Sequence, residues 1–309
     1  MLQPDELPVR KRAATLDEFA AANDQRRERV QMKARRPFQP LPTDIFIATF
    51  LKCGTAWMQQ IVHGLRTRGS MDFDDISNVV PFFEMASERG IDLDMPQVAE
   101  PRAFKTHLRW ESVPQGARYI GVIRHPGDAL VSWYHSMNGL HFEKDAISPD
   151  DLIRRIVING PGGPWGQYWE HLRSWWSQHE NKEVLFLCFE DIKRDLAGAV
   201  RRVAQFMGLD ADGALLELVT RQTSFDYMKQ HEGKFNGKSV QKAIDQQRGL
   251  RSEENLVKIR SGRIGDRNRE LSGETQNALD AIWKREIEET LGFSSYDDVR
   301  AHVAARQTG

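Results

Sequence analysis

The 309-residue chain has little of what marks several large classes of protein. It holds two cysteines, Cys53 and Cys188, too few for a disulfide framework and wrongly placed for a zinc site. No apolar run approaches the ~20 residues that cross a bilayer. The opening Met1-Leu2-Gln3-Pro4-Asp5 has no apolar export core. Basic and acidic side chains balance to a formal net charge of -1, so no global field draws the chain toward nucleic acid or an anionic membrane. Any anion must therefore meet a local cluster. Internal repeats and low-complexity tracts are absent too. The expectation is a cytoplasmic protein whose partners are neither nucleic acid nor membrane.

What is present can build a core. Hydrophobic residues make up 40% and charged ones 28%, outside the disordered range. The length suits one large α/β domain or two ordinary ones. Residues 1–40 read as a charged, partly helical lead. Thr15 can cap a helix that runs from Leu16 to Arg35-Arg36 and stops at Pro37. Within it, Arg26-Arg27-Glu28-Arg29 is expected to be a solvated helix face rather than a binding patch.

The organised domain, residues 41–309, opens near Pro42. Asp44 to Phe50 is a short apolar run rich in β-formers, as in a buried parallel strand. Ala56 to Arg68 has helical apolar spacing through Trp57, Ile61, Val62 and Leu65, with Gly69 to end it. The unit recurs: Tyr119–Ile123 precedes a helix from Asp128 to Met137, and Val184–Phe189 precedes one from Leu196 to Met207, stopped by Gly208. Such alternation predicts an α/β fold, a single domain with a central parallel sheet flanked by helices. Cys188, inside the apolar run, is expected to be buried.

Between the first strand and helix lies Leu51-Lys52-Cys53-Gly54-Thr55-Ala56-Trp57. Backbone N–H groups at a helix N-terminus, with roughly half a positive charge from the macrodipole, make an anion cradle. Gly54 permits close approach, and Lys52 and Thr55 offer direct contacts. A plain βα turn with an exposed lysine is the other reading of this stretch alone. It is not a Walker loop, because the lysine precedes the glycine and no hydroxyl follows it to ligate magnesium. Cys53 has two readings: a thiol activated by the neighbouring lysine and dipole, or one turned inert into the sheet–helix interface. A second cluster, Arg124-His125-Pro126-Gly127-Asp128, follows the Tyr119 strand, with Asp128 expected to cap the next helix and Ser132 in its first turns. Ligands of open α/β sheets bind at the carboxyl ends of strands, so Arg124 and Ser132 suit a second phosphate.

With these residues in place, the chain resembles the cytosolic-type sulfotransferases. Leu51–Trp57 is similar to their phosphosulfate loop, and Val122–Asp128 continuing to His135 to their 3′-phosphate strand and helix. Phe104-Lys105-Thr106-His107-Leu108 resembles the segment with the catalytic histidine. Phe189–Lys193 and Thr223–Met228 look like adenosine-side segments, and Arg260–Asp266 like the late Arg-Lys-Gly loop. Six matches occur in order across about residues 42 to 300.

The resemblance implies transfer of a sulfuryl group from 3′-phosphoadenosine-5′-phosphosulfate (PAPS), with the bisphosphate PAP as product and no metal. His107 would be the base, since imidazole titrates near neutrality. Lys52 and Lys105 would stabilise developing charge, and Ser132 would restrain Lys52 until acceptor binds. Cofactor contacts would come from Lys52, Cys53, Gly54, Thr55, Ala56 and Trp57, from Arg124 and Ser132, from Phe189, Thr223, Phe225 and Met228, and from Arg260, Ser261 and Gly262. Phe82, Phe83, Trp110, Trp133, Phe142, Trp165 and Tyr168 fall where the family holds its acceptor, implying a small apolar or aromatic hydroxyl or amine. The chain departs from the pattern at Leu51, Ala56, Phe189, Ser261 and Arg267, and no family dimer motif is recognisable in Arg267–Asn277. A PAP-binding homologue without turnover is the alternative, and a magnesium-dependent phosphotransferase the other enzymatic reading.

Overall fold

Four parallel strands form the centre of the molecule: β1 (Ile45–Thr49), β2 (Ala103–Thr106), β3 (Arg118–Ile123) and β4 (Val184–Cys188), in the order β2-β1-β3-β4. The computed structural model describes residues 7–33 (side chains to 30), 38–86, 89–247, 249–251 and 259–306. All five residues of β1 are buried, which explains its unbroken apolar sequence: a central strand covered on both faces has no polar side. Ile45 and Ile47 enter one core, with Ile61, Val62 and Leu65 of helix α2 (Thr55–Arg66). Phe46 and Ala48 enter the other, with Phe104, Tyr119 and Trp175. This is the two-residue alternation of a strand sorting its side chains between layers.

The helices predicted after β1, β3 and β4 are present as Thr55–Arg66, Pro126–Met137 and Leu196–Met207. Gly208, at φ 69, ends the last of them. The lead folds as well. Helix α1 (Leu16–Lys33) starts where Thr15 Oγ1 accepts the Glu18 N–H (3.3 Å) and Glu18 accepts the Ala14 N–H (2.8 Å). The expected end at Arg35-Arg36 lies outside the described residues. Phe19 of α1 is fully buried, packed on Phe142 (5.4 Å) and Trp133 (6.3 Å). Among the described residues, no helix is long and apolar enough to cross a membrane.

The strand order places the site. From β1 the chain runs to one neighbour, β2, and then crosses to the other, β3. A crevice opens at such a switch point beyond the strands' carboxyl ends. Lys52, His107, Arg124 and Phe189 each lie just beyond the end of one of these four strands.

Candidate active site

The loop after β1 turns on two left-handed residues, Lys52 (φ 64) and Gly54 (φ 99). A Cβ on Gly54 would sit 3.1 Å from the Phe189 ring, so glycine is needed for both its conformation and the close approach. Thr55 Oγ1 lies 2.6 Å from Thr49 Oγ1, tying the first residue of α2 to the end of β1. Lys52, Gly54, Thr55, Ala56 and Trp57 line a cavity of about 710 Å³.

Cys53 does not line that cavity. Its side chain is buried in the sheet–helix core, with Sγ 3.7 Å from the Leu51 carbonyl. Burial pushes the thiol up to about 12, outweighing the Arg124 charge that would lower it. The activated-thiol reading of Cys53 is therefore corrected, and any cofactor contact from this residue falls to its backbone: the turn between the left-handed Lys52 and Gly54 aims the side chain inward. Brief treatment with iodoacetamide should leave Cys53 unlabelled with or without PAP, by peptide mapping. Rapid labelling that PAP suppresses would contradict this burial.

His107 follows β2 and is 7% exposed. Its Nδ1 lies 2.7 Å from the Thr49 carbonyl; a carbonyl only accepts, so Nδ1 carries the proton and Nε2 is the basic nitrogen. Phe82 and Trp165 stack on each other (5.7 Å) and present their rings to His107 at 5.2 and 5.1 Å. Lys105 places its ammonium 4.4 Å from the Phe82 ring centre. Lys105, His107 and Ser132 all line the cavity.

Two partners of His107 escaped the sequence reading. One is Thr49, which joins the phosphate loop through its hydroxyl and the imidazole through its carbonyl. The other is Glu84, whose Oε1 accepts the His107 backbone N–H at 2.7 Å while Oε2 is buried without a hydrogen bond among the described residues. The available signal was an acid inside the apolar run Val79 to Met85. Burial pushes Glu84 up to about 7 from 4.5, against the His107 and Thr106 hydrogen bonds and the Lys105 charge. The stability that its bound proton confers is complete below about 4.5 and lost as pH rises through about 7. Glu84→Gln keeps an acceptor for His107 and cannot ionise. Its stability relative to the parent should therefore rise between pH 5 and 8 by on the order of 3 kcal/mol. Thermal denaturation reads this directly; a difference independent of pH would show that Glu84 does not titrate in that window.

Arg124, 6% exposed, holds two loops together: its guanidinium donates to the Lys52 carbonyl (3.0 Å) and the Arg263 carbonyl (3.1 Å), and it lies 4.3 Å from the Phe189 ring centre. Among the described residues it has no carboxylate partner, and its Nε has no hydrogen bond. Trp57 meets Phe189 edge-on (5.3 Å) and donates its indole N–H to the Thr223 carbonyl (2.7 Å). Phe189 thus supplies a packing surface despite departing from tyrosine. Thr223 contributes backbone more than side chain, because its hydroxyl donates to Val219 (2.7 Å). Phe225 and Met228 line the cavity, and a Cβ on Gly262 would fall 2.7 Å from Phe225. The Gly262 carbonyl accepts from Lys193 (2.6 Å). Arg260 pairs with Asp266 and Glu270, and the Ser261 hydroxyl donates to Asp266 (3.3 Å).

Asp128 does not cap its helix. The His125 ring accepts the Gly127 N–H there (3.2 Å), with Pro126 at the first helical position. The buried Asp128 instead accepts the Gly265 and Arg267 N–H groups at 2.7 and 3.1 Å and pairs with the Arg267 guanidinium at 3.4 Å. Arg267 therefore anchors the late loop from outside the cavity. Of the seven aromatic residues expected at the acceptor, Phe82, Trp133 and Trp165 line the cavity. Phe83, Phe142 and Tyr168 are core, and Trp110 packs on Tyr119 and Trp175. The solvated-face expectation for α1 is also corrected, because Arg26 and Arg29 line the cavity. Among the described residues, no group of three or more His, Cys, Asp or Glu is placed to hold a metal.

Residues 42–291 match the sulfotransferase domain, and the chain belongs to the sulfotransferase family, enzymes that take their sulfuryl group from PAPS. It is 30% identical to human sulfotransferase 1C2 over 264 residues, covering 82% of this chain and 86% of that one. In fold it is similar to mouse sulfotransferase SULT7A1 complexed with PAP (TM-score 0.62, 20% identity, 87% and 90% covered). It is also similar to retinol dehydratase in complex with androsterone and PAP (TM-score 0.69, 18% identity, 89% and 94% covered).

Proposed function

We propose that the chain transfers the sulfuryl group of PAPS to a hydroxyl or amine of a small acceptor with an apolar or aromatic body, with His107 as base. The observation that carries this reading is that His107, its tautomer set by Thr49, opens into the same cavity as the buried Arg124, which has no carboxylate partner among the described residues. A buried cation without a counter-charge is costly, and an entering phosphate offsets that cost. The 3′-phosphate is assigned to Arg124, Ser132 and Arg260, and the 5′-phosphosulfate to Lys52 and the N–H groups at the start of α2. Phe189, Trp57, Phe225 and Met228 would enclose the adenosine.

In the transfer, the acceptor oxygen or nitrogen forms a bond to sulfur as its proton passes to His107 Nε2. The bond from sulfur to the 5′-phosphate oxygen breaks in line, and its electron pair stays on that oxygen. Lys52 would meet the charge on the leaving oxygen, and Lys105 that on the sulfuryl oxygens. The acceptor body would lie between Phe82, Trp133 and Trp165. Turnover of radiolabelled PAPS over a broad panel of phenols, alcohols and amines tests the proposal. Tight PAP binding with no transfer to any acceptor would instead select a binding protein without turnover.

A further inference from the structure

Eight lysine and arginine side chains line the cavity, and among the described residues no aspartate or glutamate does. The chain as a whole is balanced at -1, so the excess is local. Lys52, Lys105, Arg124, Lys193 and Arg260 stand at the strand ends and the late loop, where the anionic nucleotide is placed. The other three, Arg10, Arg26 and Arg29, come from the lead, and transfer to a neutral acceptor gives them no task.

The seating of helix α1 sets Arg26 and Arg29 on the acceptor side. Helix α1 is seated on the walls of that half: Phe19 packs on Trp133, and Asn23 donates to the Gly162 carbonyl (3.0 Å) in the loop that leads to Trp165. One and two turns beyond Asn23, Arg26 and Arg29 reach the cavity beside Val30, the spacing of one helix face. Arg26 bonds to His141 Nδ1 (2.8 Å). Arg29 is half-buried and makes no ion pair among the described residues. Arg10 has a side chain only 9% exposed and pairs with Asp245 through Nη2. Its Nε and Nη1 are buried without a hydrogen bond among the described residues. Buried guanidinium N–H groups lacking an acceptor are costly, and a planar carboxylate matches their geometry better than any other common organic group.

We propose that the natural acceptor is an acid: a hydroxy- or amino-substituted carboxylic acid whose apolar body lies between Phe82, Trp133 and Trp165 and whose carboxylate is held by Arg29 and Arg10, with Arg26 beside them. This rests on the sulfuryl-transfer reading above and narrows its acceptor class.

The test compares hydroxyphenyl-propionate and hydroxyphenyl-hexanoate, each beside its uncharged primary amide, as acceptors for the full chain with PAPS. At least one acid should exceed its amide in kcat/KM by about tenfold or more, the scale of a charge-assisted bond. That ratio should fall toward one in Arg29→Gln, invert in Arg29→Glu and recover in Arg29→Lys. PAP affinity measured without acceptor should match the parent in all three variants. Binding of the same four compounds to the PAP-loaded protein, followed by indole fluorescence from Trp133 and Trp165, gives a readout that does not need turnover. Amides used or bound as well as acids would overturn the anion site and leave sulfuryl transfer standing. A preference for acids that survives Arg29→Glu, or a loss of PAP affinity in these variants, would overturn the assignment of the arginines. Acids bound preferentially without any turnover would support the anion site and count against the transfer reading.

Discussion

His107→Ala should lose turnover by a factor on the order of 10²–10⁴ while binding PAP as the parent does. The expectation follows from how the ring is held. The Thr49 carbonyl accepts a hydrogen bond from Nδ1–H at 2.7 Å, so Nε2 is the nitrogen able to accept a proton. The backbone N–H is anchored to Glu84 at 2.7 Å, and Phe82 and Trp165 confine the ring from two sides. These contacts meet the phosphate loop only through Thr49, whose hydroxyl bond to Thr55 does not involve the imidazole, so removing the ring spares the proposed nucleotide contacts. Single-turnover rates with PAPS, beside PAP affinity by calorimetry, separate the two effects. Activity within about tenfold of the parent would remove His107 from proton transfer.

Arg124→Ala should weaken PAP by about 3 kcal/mol, roughly a hundredfold, the upper range for a hydrogen bond to a charged group. It should weaken adenosine-5′-phosphosulfate, which lacks the 3′-phosphate, much less. The comparison matters because Arg124 also braces the Lys52 and Arg263 carbonyls, at 3.0 and 3.1 Å. Damage to those loops alone would lower affinity for both nucleotides alike, and that outcome would contradict the assignment. Arg124→Lys keeps the charge and loses the two-pronged geometry, so it should fall between parent and alanine variant.

The strand–loop–helix units were legible because their signals are local. A short unbroken run rich in β-branched and aromatic residues such as Ile45–Thr49, closed by a glycine turn, reads as a strand buried on both faces, and Gly54 and Gly208 mark turns that other residues resist. The ordered motifs then identified the family, since each is carried by a few contiguous residues. Local signals did not say which way a side chain points. Asp128 sits where helix caps occur, yet the late loop arrives from about 137 residues away to claim its oxygens. Cys53 lies between a lysine and a glycine in an anion loop, and only the αL turn decides that its sulfur faces the core. Aromatic residues near one another in sequence divided between core and cavity by the packing of helices they do not belong to.

The sequence by itself determined the α/β architecture, the family, and the short segments from which the proposed nucleotide and base residues come, because strand and helix periodicity and turn chemistry are properties of neighbouring residues. Only the tertiary structure decided that Thr49 and Glu84 hold His107, that Arg124 is buried with no carboxylate partner among the described residues, and that Arg26 and Arg29 of α1 line the cavity. Each of these depends on which surfaces meet when distant segments pack. Burial, and with it the weight of a charge or a hydrogen bond, is set by those encounters and not by the order of residues along the chain.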